Sequence, residues 1–254
     1  MLKKLKRIAK SFLRPEPKHI ALSWVKKSPR AWLATTLFTD SSVRPPICGA
    51  SAAIEALANQ TNDLGPQQLW MGYKDKARGG TRLPDGVRTS RISGNLFCHI
   101  VKLRRPHTII EFGAAFGISG MYWLAGLEEN AAGVLYTFEP NGEWAAIAEH
   151  NLKRIGGRFK LTVGTFEESV DTSMPQDKLI DLAFIDAIHT TEFVIKQLEL
   201  VIERSAPGAI IVLDDIDFSD DMRHCWSIVS RDPRFVASAV VGARIGIVEL
   251  GVAF

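Results

Sequence analysis

The chain has 254 residues, 46% of them hydrophobic, with 31 Lys or Arg against 28 Asp or Glu and a formal net charge of +3. That length gives one catalytic-size domain plus an extension, with enough chain for a full core; no apolar run reaches the roughly 18 residues of a membrane span, and no repeat or low-complexity tract is present. Cys48, Cys98 and Cys225 have no paired spacing, which points to a reducing cytoplasm, argues against a zinc site, and reads each as a small buried hydrophobe.

The charge is unevenly spread. Residues 1–30 hold ten Lys or Arg and one acid, Glu16, so the remainder, with 21 basic and 27 acidic residues, is net acidic. An acidic body argues against nucleic acid as a partner. On a helical wheel Leu2, Leu5, Ile8, Ala9, Phe12 and Leu13 share one face, and Lys3, Lys4, Lys6, Arg7, Lys10 and Arg14 take the other, with Pro15 ending the helix. No apolar core follows these charges, which disfavours a signal peptide. Three uses of residues 1–14 stay open: docking on the chain's own body or on a second copy as a homodimer, peripheral contact with an anionic membrane, or a solvated or targeting tail.

Residues 18–84 read as short helices over 19–25, 29–38 and 51–59, broken at Pro45-Pro46 and Gly79-Gly80, with 74–86 as a surface loop. Residues 1–84 are therefore taken as an N-terminal basic helix and helical cap, and 85–254 as the main domain. A helix over 93–103 leads into the first strand, and Arg91, Ile92 and Ser93 are placed to reach a ligand beyond it.

The most telling segment is Ile109-Ile110-Glu111-Phe112-Gly113-Ala114-Ala115-Phe116-Gly117-Ile118-Ser119-Gly120. An apolar run ending in an acid, then small residues between glycines, reads as a buried strand turning into a helix. Such a turn sits at the carboxyl end of the first strand of an open α/β sheet and suits a nucleotide-type cofactor. A dinucleotide fingerprint started at Gly113 needs glycine at 115 and 118, where this chain has Ala115 and Ile118. The form G-x-A-x-G is that of S-adenosylmethionine (SAM) enzymes; a purely structural glycine turn is the alternative.

A second strand, 135–139, ends in Glu139, 22 residues after Gly117. An acid there is placed to accept hydrogen bonds from ribose hydroxyls, or else it serves the N-terminus of the helix opened by Pro140-Asn141-Gly142. A third strand, 159–163, runs into Gly164-Thr165-Phe166-Glu167, where an adenine ring would be gripped; Phe166 either stacks on it or belongs to the core. Two further buried strands end in acids. The segment 179–186 closes on Asp186 with His189 three residues on, and 209–215, introduced by Pro207-Gly208, closes on Asp214-Asp215. Their convergence predicts repulsion unless a proton or cation intervenes, and an all-oxygen set favours Mg²⁺. In the alternative, Asp186 touches the cofactor while Asp214 and Asp215 cap the next loop.

Ser219 is a helix N-cap for 220–230, with Asp220 and Asp221 favourable at its positive end rather than metal ligands. Strands over 235–241 and 245–250, joined by Gly242-Ala243-Arg244, form a closing hairpin.

Together the E-F-G-A-A-F-G-I-S turn, the F-E-P acid, F-I-D-A-I-H and P-G-A-I-I-V-L-D-D-I resemble the class I SAM-dependent methyltransferases over about residues 88–250. The likeness is strongest to the metal-dependent small-molecule O-methyltransferases, the catechol O-methyltransferase-like enzymes and the bacterial natural-product sugar methyltransferases. It implies a Rossmann-like seven-stranded sheet, mostly parallel, with a C-terminal antiparallel hairpin. It implies cofactor contacts at Glu111, Gly113, Ala115, Phe116, Gly117, Ser119, Glu139, Thr165, Phe166 and Asp186. A divalent ion, Mg²⁺ first, would be held by Asp186, Asp214 and Asp215 and would chelate a hydroxyl of a small-molecule acceptor. The catechol-type enzymes carry Asp-Asn where this chain has Asp214-Asp215, which puts a catechol acceptor in doubt. In the resembling family N-terminal helices form part of the acceptor pocket, which offers Trp70, Met71 and Tyr73 as its lining or as helical core. Methyl transfer needs a hydroxyl near its deprotonated form, and Asp186 and His189 are the candidate catalytic residues. His189 reads equally as a loop histidine bonded to an aspartate. A dinucleotide enzyme and a non-catalytic SAM-binding scaffold are the rival readings.

Overall fold

The computed structural model of the chain describes residues 19–69 and 80–251. The amphipathic segment 1–14, together with Trp70, Met71 and Tyr73, lies outside the described residues. In chain order the elements are β1 (Ile20–Lys26), a π-type turn (Leu33–Leu37), β2 (Ser42–Val43), α1 (Ser51–Asn62), β3 (Gln67–Gln68), β4 (Thr81–Arg82), a 3₁₀ turn (Pro84–Gly86) and α2 (Arg91–Arg104). There follow β5 (Thr108–Phe112), α3 (Ile118–Asn130), β6 (Val134–Glu139), α4 (Gly142–Lys153), β7 (Phe159–Val163), α5 (Phe166–Ser173), β8 (Ile180–Ile185) and α6 (Thr191–Glu203). The chain then runs through β9 (Ser205–Leu213), α7 (Asp220–Val229), β10 (Phe235–Val241) and β11 (Ile245–Leu250).

β5, β8 and the second half of β9 are apolar on both faces because both faces are covered by helices. Ile109, Leu182, Phe184, Ile210 and Val212 pack on one side with α2 and α3, and Ile110, Ala183, Ile185, Ile211 and Leu213 pack on the other with α6 and α7. Phe97 of α2 stacks on Trp123 of α3 with ring centroids 4.2 Å apart, and both lean on Phe184. Truncating any of these rings to alanine should cost about 3–5 kcal/mol.

The expected sheet is present but wider: nine strands in the order β2-β1-β10-β11-β9-β8-β5-β6-β7, rather than seven. β9, β8, β5, β6 and β7 are parallel, and β11 is antiparallel to β9 and β10. The two extra strands come from the N-terminal part. The helix expected over 19–25 is instead β1, paired antiparallel with β10 through Leu22↔Val241 and Ser23↔Val240. Its residues bury in alternation, Ile20 and Leu22 inward and Ala21 and Ser23 outward, a period of two that outweighs any local helical tendency. The helix expected over 29–38 shrinks to the single turn Leu33–Leu37, whose leading N–H groups, on Trp32 and Leu33, donate to the Glu249 carboxylate at 2.9 and 2.8 Å. The helix expected at 51–59 forms and extends to Asn62. Within the expected loop 74–86, Thr81–Arg82 pair with Gln67–Gln68 and Pro84–Gly86 form a turn. Residues 20–26 thus belong to the same sheet as the main domain. Among the described residues no helix is long and apolar enough to cross a membrane.

The chain leaves β5 toward β6 and β7, then returns to β8 and β9 on the other side. Ligands of open α/β sheets bind at such a switch point, outside the strands' carboxyl ends.

Candidate cofactor and acceptor site

The turn after β5 is built from backbone that only small residues tolerate. Gly113, Ala115 and Gly117 all have positive φ, at 78°, 47° and 81°. A Cβ on Gly113 would lie 2.4 Å from the Asp186 carbonyl oxygen, so the turn and the end of β8 touch without room for a side chain. The N–H groups of Gly113 and Ala114 both donate to the Phe138 carbonyl at 3.0 Å, which ties the turn to β6.

Beneath this turn sit two acids. Glu111 is fully buried, and its carboxylate accepts from the Ser119 and Thr137 hydroxyls at 2.6 and 2.7 Å. Burial pushes its carboxyl up to about 7, against the partial relief given by those two hydroxyls. Glu139, at the end of β6, accepts from the N–H of Ala115 at 2.8 Å and of Asn141 at 2.9 Å, and burial pushes it too up to about 7. Asn141 also caps α4 through the N–H groups of Glu143 and Trp144. Glu139 thus serves the helix-opening loop and the glycine turn together.

A narrow cleft opens over this floor, lined by Gly113, Ala114, Ala115, Phe116, Ile118, Ser119 and Asp186 with Val87, Arg88 and Thr89 on the facing wall. The cofactor residues expected from the resemblance separate here into two groups. Gly113, Ala115, Phe116, Ser119 and Asp186 reach the cleft. Glu111 lies below it, bonded to Ser119. Phe166 is core: it is 1% exposed and packs on Phe112 and Phe138 at centroid distances of 4.5 and 5.3 Å. Its place at the first turn of α5 aims it inward between two strands, so the adenine-stacking option is lost. Thr165, just before it, donates to Glu168 at 3.0 Å. Phe116 is nearly enclosed by Trp144 and Leu69. Val87, Arg88 and Thr89 were not foreseen; Arg91 and Ser93, nominated instead, bond to Ser51 and Ser90.

Across the cleft, the three acids after β8 and β9 do not face one another bare. Both oxygens of Asp214 are taken by Arg244, Nε donating to Oδ1 at 2.7 Å and Nη2 donating to Oδ2. Oδ1 accepts the Asp215 N–H as well, at 2.9 Å. Asp215, with φ 53°, places Oδ1 3.1 Å from Arg244 Nε and Oδ2 3.5 Å from His189 Nε2. His189 Nε2 also lies 3.7 Å from Asp186 Oδ1, and its ring leans on Phe218. Burial lowers the histidine from its ordinary value, with Asp215 and Asp214 pulling the other way, which leaves it largely neutral at pH 7. Burial, reinforced by Asp214, raises Asp186 well above the carboxylate range.

This arrangement does not fit the divalent metal that the resemblance implies. The expectation rested on three uncompensated carboxylates, whereas Asp214 and Asp215 already hold a guanidinium and a cation beside it would be repelled. Among the described residues the acids do not gather three oxygens within 4.8 Å; the group of metal-type donors that does is Cys48, Cys98 and Glu129, on the loop before α1, on α2 and at the end of α3. All three cysteines are buried and free, as the sequence suggested. Ser219 does cap α7, accepting from Met222 N at 3.1 Å, and Asp221 caps α6 through the Thr191 N–H. The hairpin forms at the expected residues. Arg244 was legible only as a turn residue; its partners lie 30 positions away, beyond any local signal.

A second cleft, of about 220 Å³, runs between β1, the start of α2 and the hairpin turn, lined by Ile20, Ala21, Ile92, Ser93 and residues 241–245. Arg244 stands in its wall.

A family model described as a methyltransferase domain matches residues 110–216. A curated protein of Mycolicibacterium vanbaalenii named "Putative O-methyltransferase" is 32% identical over 125 residues, covering 47% of this chain and 52% of that protein. The chain thus spans about half the length of the curated relatives it matches. The O-methyltransferase TomG of Streptomyces achromogenes, solved in complex with SAM, superposes with TM-score 0.59 and 18% identity over 87% of this chain and 94% of its own. The O-methyltransferase of Bacillus cereus, in complex with SAH, gives 0.57 and 18% over 87% and 96%. These structures share the fold. Family match, relatives and fold point the same way: residues 110–216 match a methyltransferase domain, proteins named as O-methyltransferases are among the relatives, and the chain shares the fold of SAM- and SAH-bound O-methyltransferases.

Proposed function

We propose that the chain transfers the methyl group of SAM to a hydroxyl of a small-molecule acceptor. The observation that carries this reading is the left-handed turn Gly113–Gly117, closed against the Asp186 carbonyl and opening on the cleft between β5 and β8. Gly113, Ala115 and Ser119 would hold the methionine part. Glu139 has one lone pair on each oxygen beyond its backbone bonds, which suits ribose hydroxyls. SAM, when bound, supplies an electrophilic methyl group. The chain's own residues then have two tasks: to hold the acceptor oxygen in line with that methyl, and to take the hydroxyl proton.

For the second task His189 is the candidate base, neutral near pH 7 and 3.5 Å from Asp215, whose charge, with that of Asp214 behind it, would steady the imidazolium after proton uptake. Asp186 lines the cofactor cleft and would orient the histidine. The acceptor would enter by the second cleft, whose Ile20 and Ile92 walls suit an apolar ring or chain. Divalent-metal assistance is not part of the proposal, because Arg244 already occupies the acids. Residues 1–14 keep their proposed docking role on a second copy or an anionic membrane, and deleting them should change sedimentation or vesicle binding while leaving cofactor affinity intact.

Calorimetry with S-adenosylhomocysteine (SAH) and with NADH tests the reading. One SAH per chain and no NADH is expected; NADH binding without SAH would replace methyl transfer with dinucleotide chemistry.

A further inference from the structure

We propose that Arg244 is the resident cation of the acceptor site, standing where related enzymes would hold a divalent metal, and that its free guanidinium edge receives the acceptor oxygen. The inference rests on the methyltransferase reading. Three independent features carry it. First, the guanidinium spans both acids: Nε and Nη2 bond Asp214, and Nε also lies 3.1 Å from Asp215. This fork matches a carboxylate pair as a point-like ammonium would not.

Second, the arginine is anchored at its backbone. Its carbonyl accepts the N–H of Ile216 at 3.0 Å, two residues past Asp214, and the neighbouring Gly242 N–H donates to the Ala21 carbonyl of β1 at 2.7 Å. The hairpin turn is therefore held from the β9 side and from the β1 side, so the cation is placed by the fold rather than by a flexible loop. β1, the strand absent from the expected seven-stranded sheet, takes part in placing it.

Third, the group is not used up. Nη1 has no hydrogen-bond partner among the described residues, and the Arg244 side chain is 47% exposed in the wall of the second cleft. A hydroxyl arriving there would meet a fixed N–H donor that strengthens as negative charge develops on oxygen. The balance is simple: the O–H proton passes to His189, a carbon–oxygen bond forms, and the sulfur–carbon bond breaks with its electron pair returning to sulfur. No metal is needed to lower the charge on the oxygen.

Mn²⁺ titration followed by electron paramagnetic resonance, on the full chain saturated with SAH, decides the matter. Wild type should bind no more Mn²⁺ than Asp215→Asn, whereas Arg244→Gln should gain one Mn²⁺ per chain, at least about tenfold tighter than wild type. A stoichiometric wild-type site that Asp215→Asn abolishes would overturn the proposal. So would a folded, SAH-binding Arg244→Gln protein that gains none, since Arg244 would then not be what keeps the metal out. If Arg244→Gln does not fold, Arg244→Met, which keeps the bulk of the stem and removes the charge, should gain the same Mn²⁺ site; a folded, SAH-binding Arg244→Met protein that gains none counts equally against the idea. SAH binding is read on the same samples, so failure of the methyltransferase reading shows separately, as lost SAH affinity in wild type.

Discussion

The two sides of the cleft solve one problem differently. On the cofactor side, Glu111 and Glu139 are buried among neutral donors: hydroxyls from Ser119 and Thr137, and N–H groups from Ala115 and Asn141. On the acceptor side, Asp214 and Asp215 share a full positive charge from Arg244. Neutral donors only partly replace lost water, and both glutamates are pushed up to about 7. A guanidinium forks onto its carboxylates and leaves a cationic edge exposed. The difference teaches that one side is built to brace a backbone turn, and the other to hold a fixed cation across two strand ends.

The harshest way to break the cofactor side is Gly113→Ala. The strained φ and the 2.4 Å approach to the Asp186 carbonyl leave no room for a methyl group. SAH affinity should fall about 100-fold or more, roughly 3 kcal/mol, by calorimetry. Unchanged affinity would mean the turn is not the cradle. On the acceptor side, Arg244→Gln should lower stability in chemical denaturation by about 2 kcal/mol, less than a fully buried pair would lose because the arginine is half exposed. Adding Asp214→Asn should restore part of that loss; simple additivity of the two changes would argue against the pairing.

Glu139→Ala should weaken SAH binding about tenfold, near 1.4 kcal/mol, through ribose contacts and through the slackened Ala115 N–H. If affinity is lost only with stability, Glu139 braces the turn and does not touch the cofactor. Glu111 is read through pH rather than through affinity. Its folded value of about 7 lies above the ordinary 4.5, so between these the folded chain holds a proton the unfolded chain has released. Its favourable contribution is complete below 4.5 and is lost as pH rises through 7. Glu111→Gln should therefore gain on wild type by about 2–3 kcal/mol from pH 5 to pH 8 in thermal unfolding. A flat difference across that range would mean the carboxylate is already ionised below pH 5.

Much of the cofactor side was legible because its determinants are local. A strand ending in Glu111, glycines at 113 and 117, and an acid at 139 are short-range backbone requirements, and they reappear as a parallel pair, a left-handed turn and a bonded carboxylate. Phe166 misled because an aromatic beside a turn carries no mark of which way its ring points; only its seat between Phe112 and Phe138 decides that. The segment 19–25 misled for the same kind of reason. Its apolar residues fit a helix face or a strand face, and pairing with β10, more than 200 residues away, chose the strand.

What the amino-acid sequence determined by itself is the parallel core and the glycine turn, because apolar runs, caps and positive-φ positions act over a few residues. Tertiary structure alone decided the charge balance across the cleft. Three acids in a row of strand ends look like a metal site until a hairpin 30 residues downstream folds back and lays Arg244 across two of them. Coulombic pairing depends on distance in space, and distance in space is what the linear order does not carry.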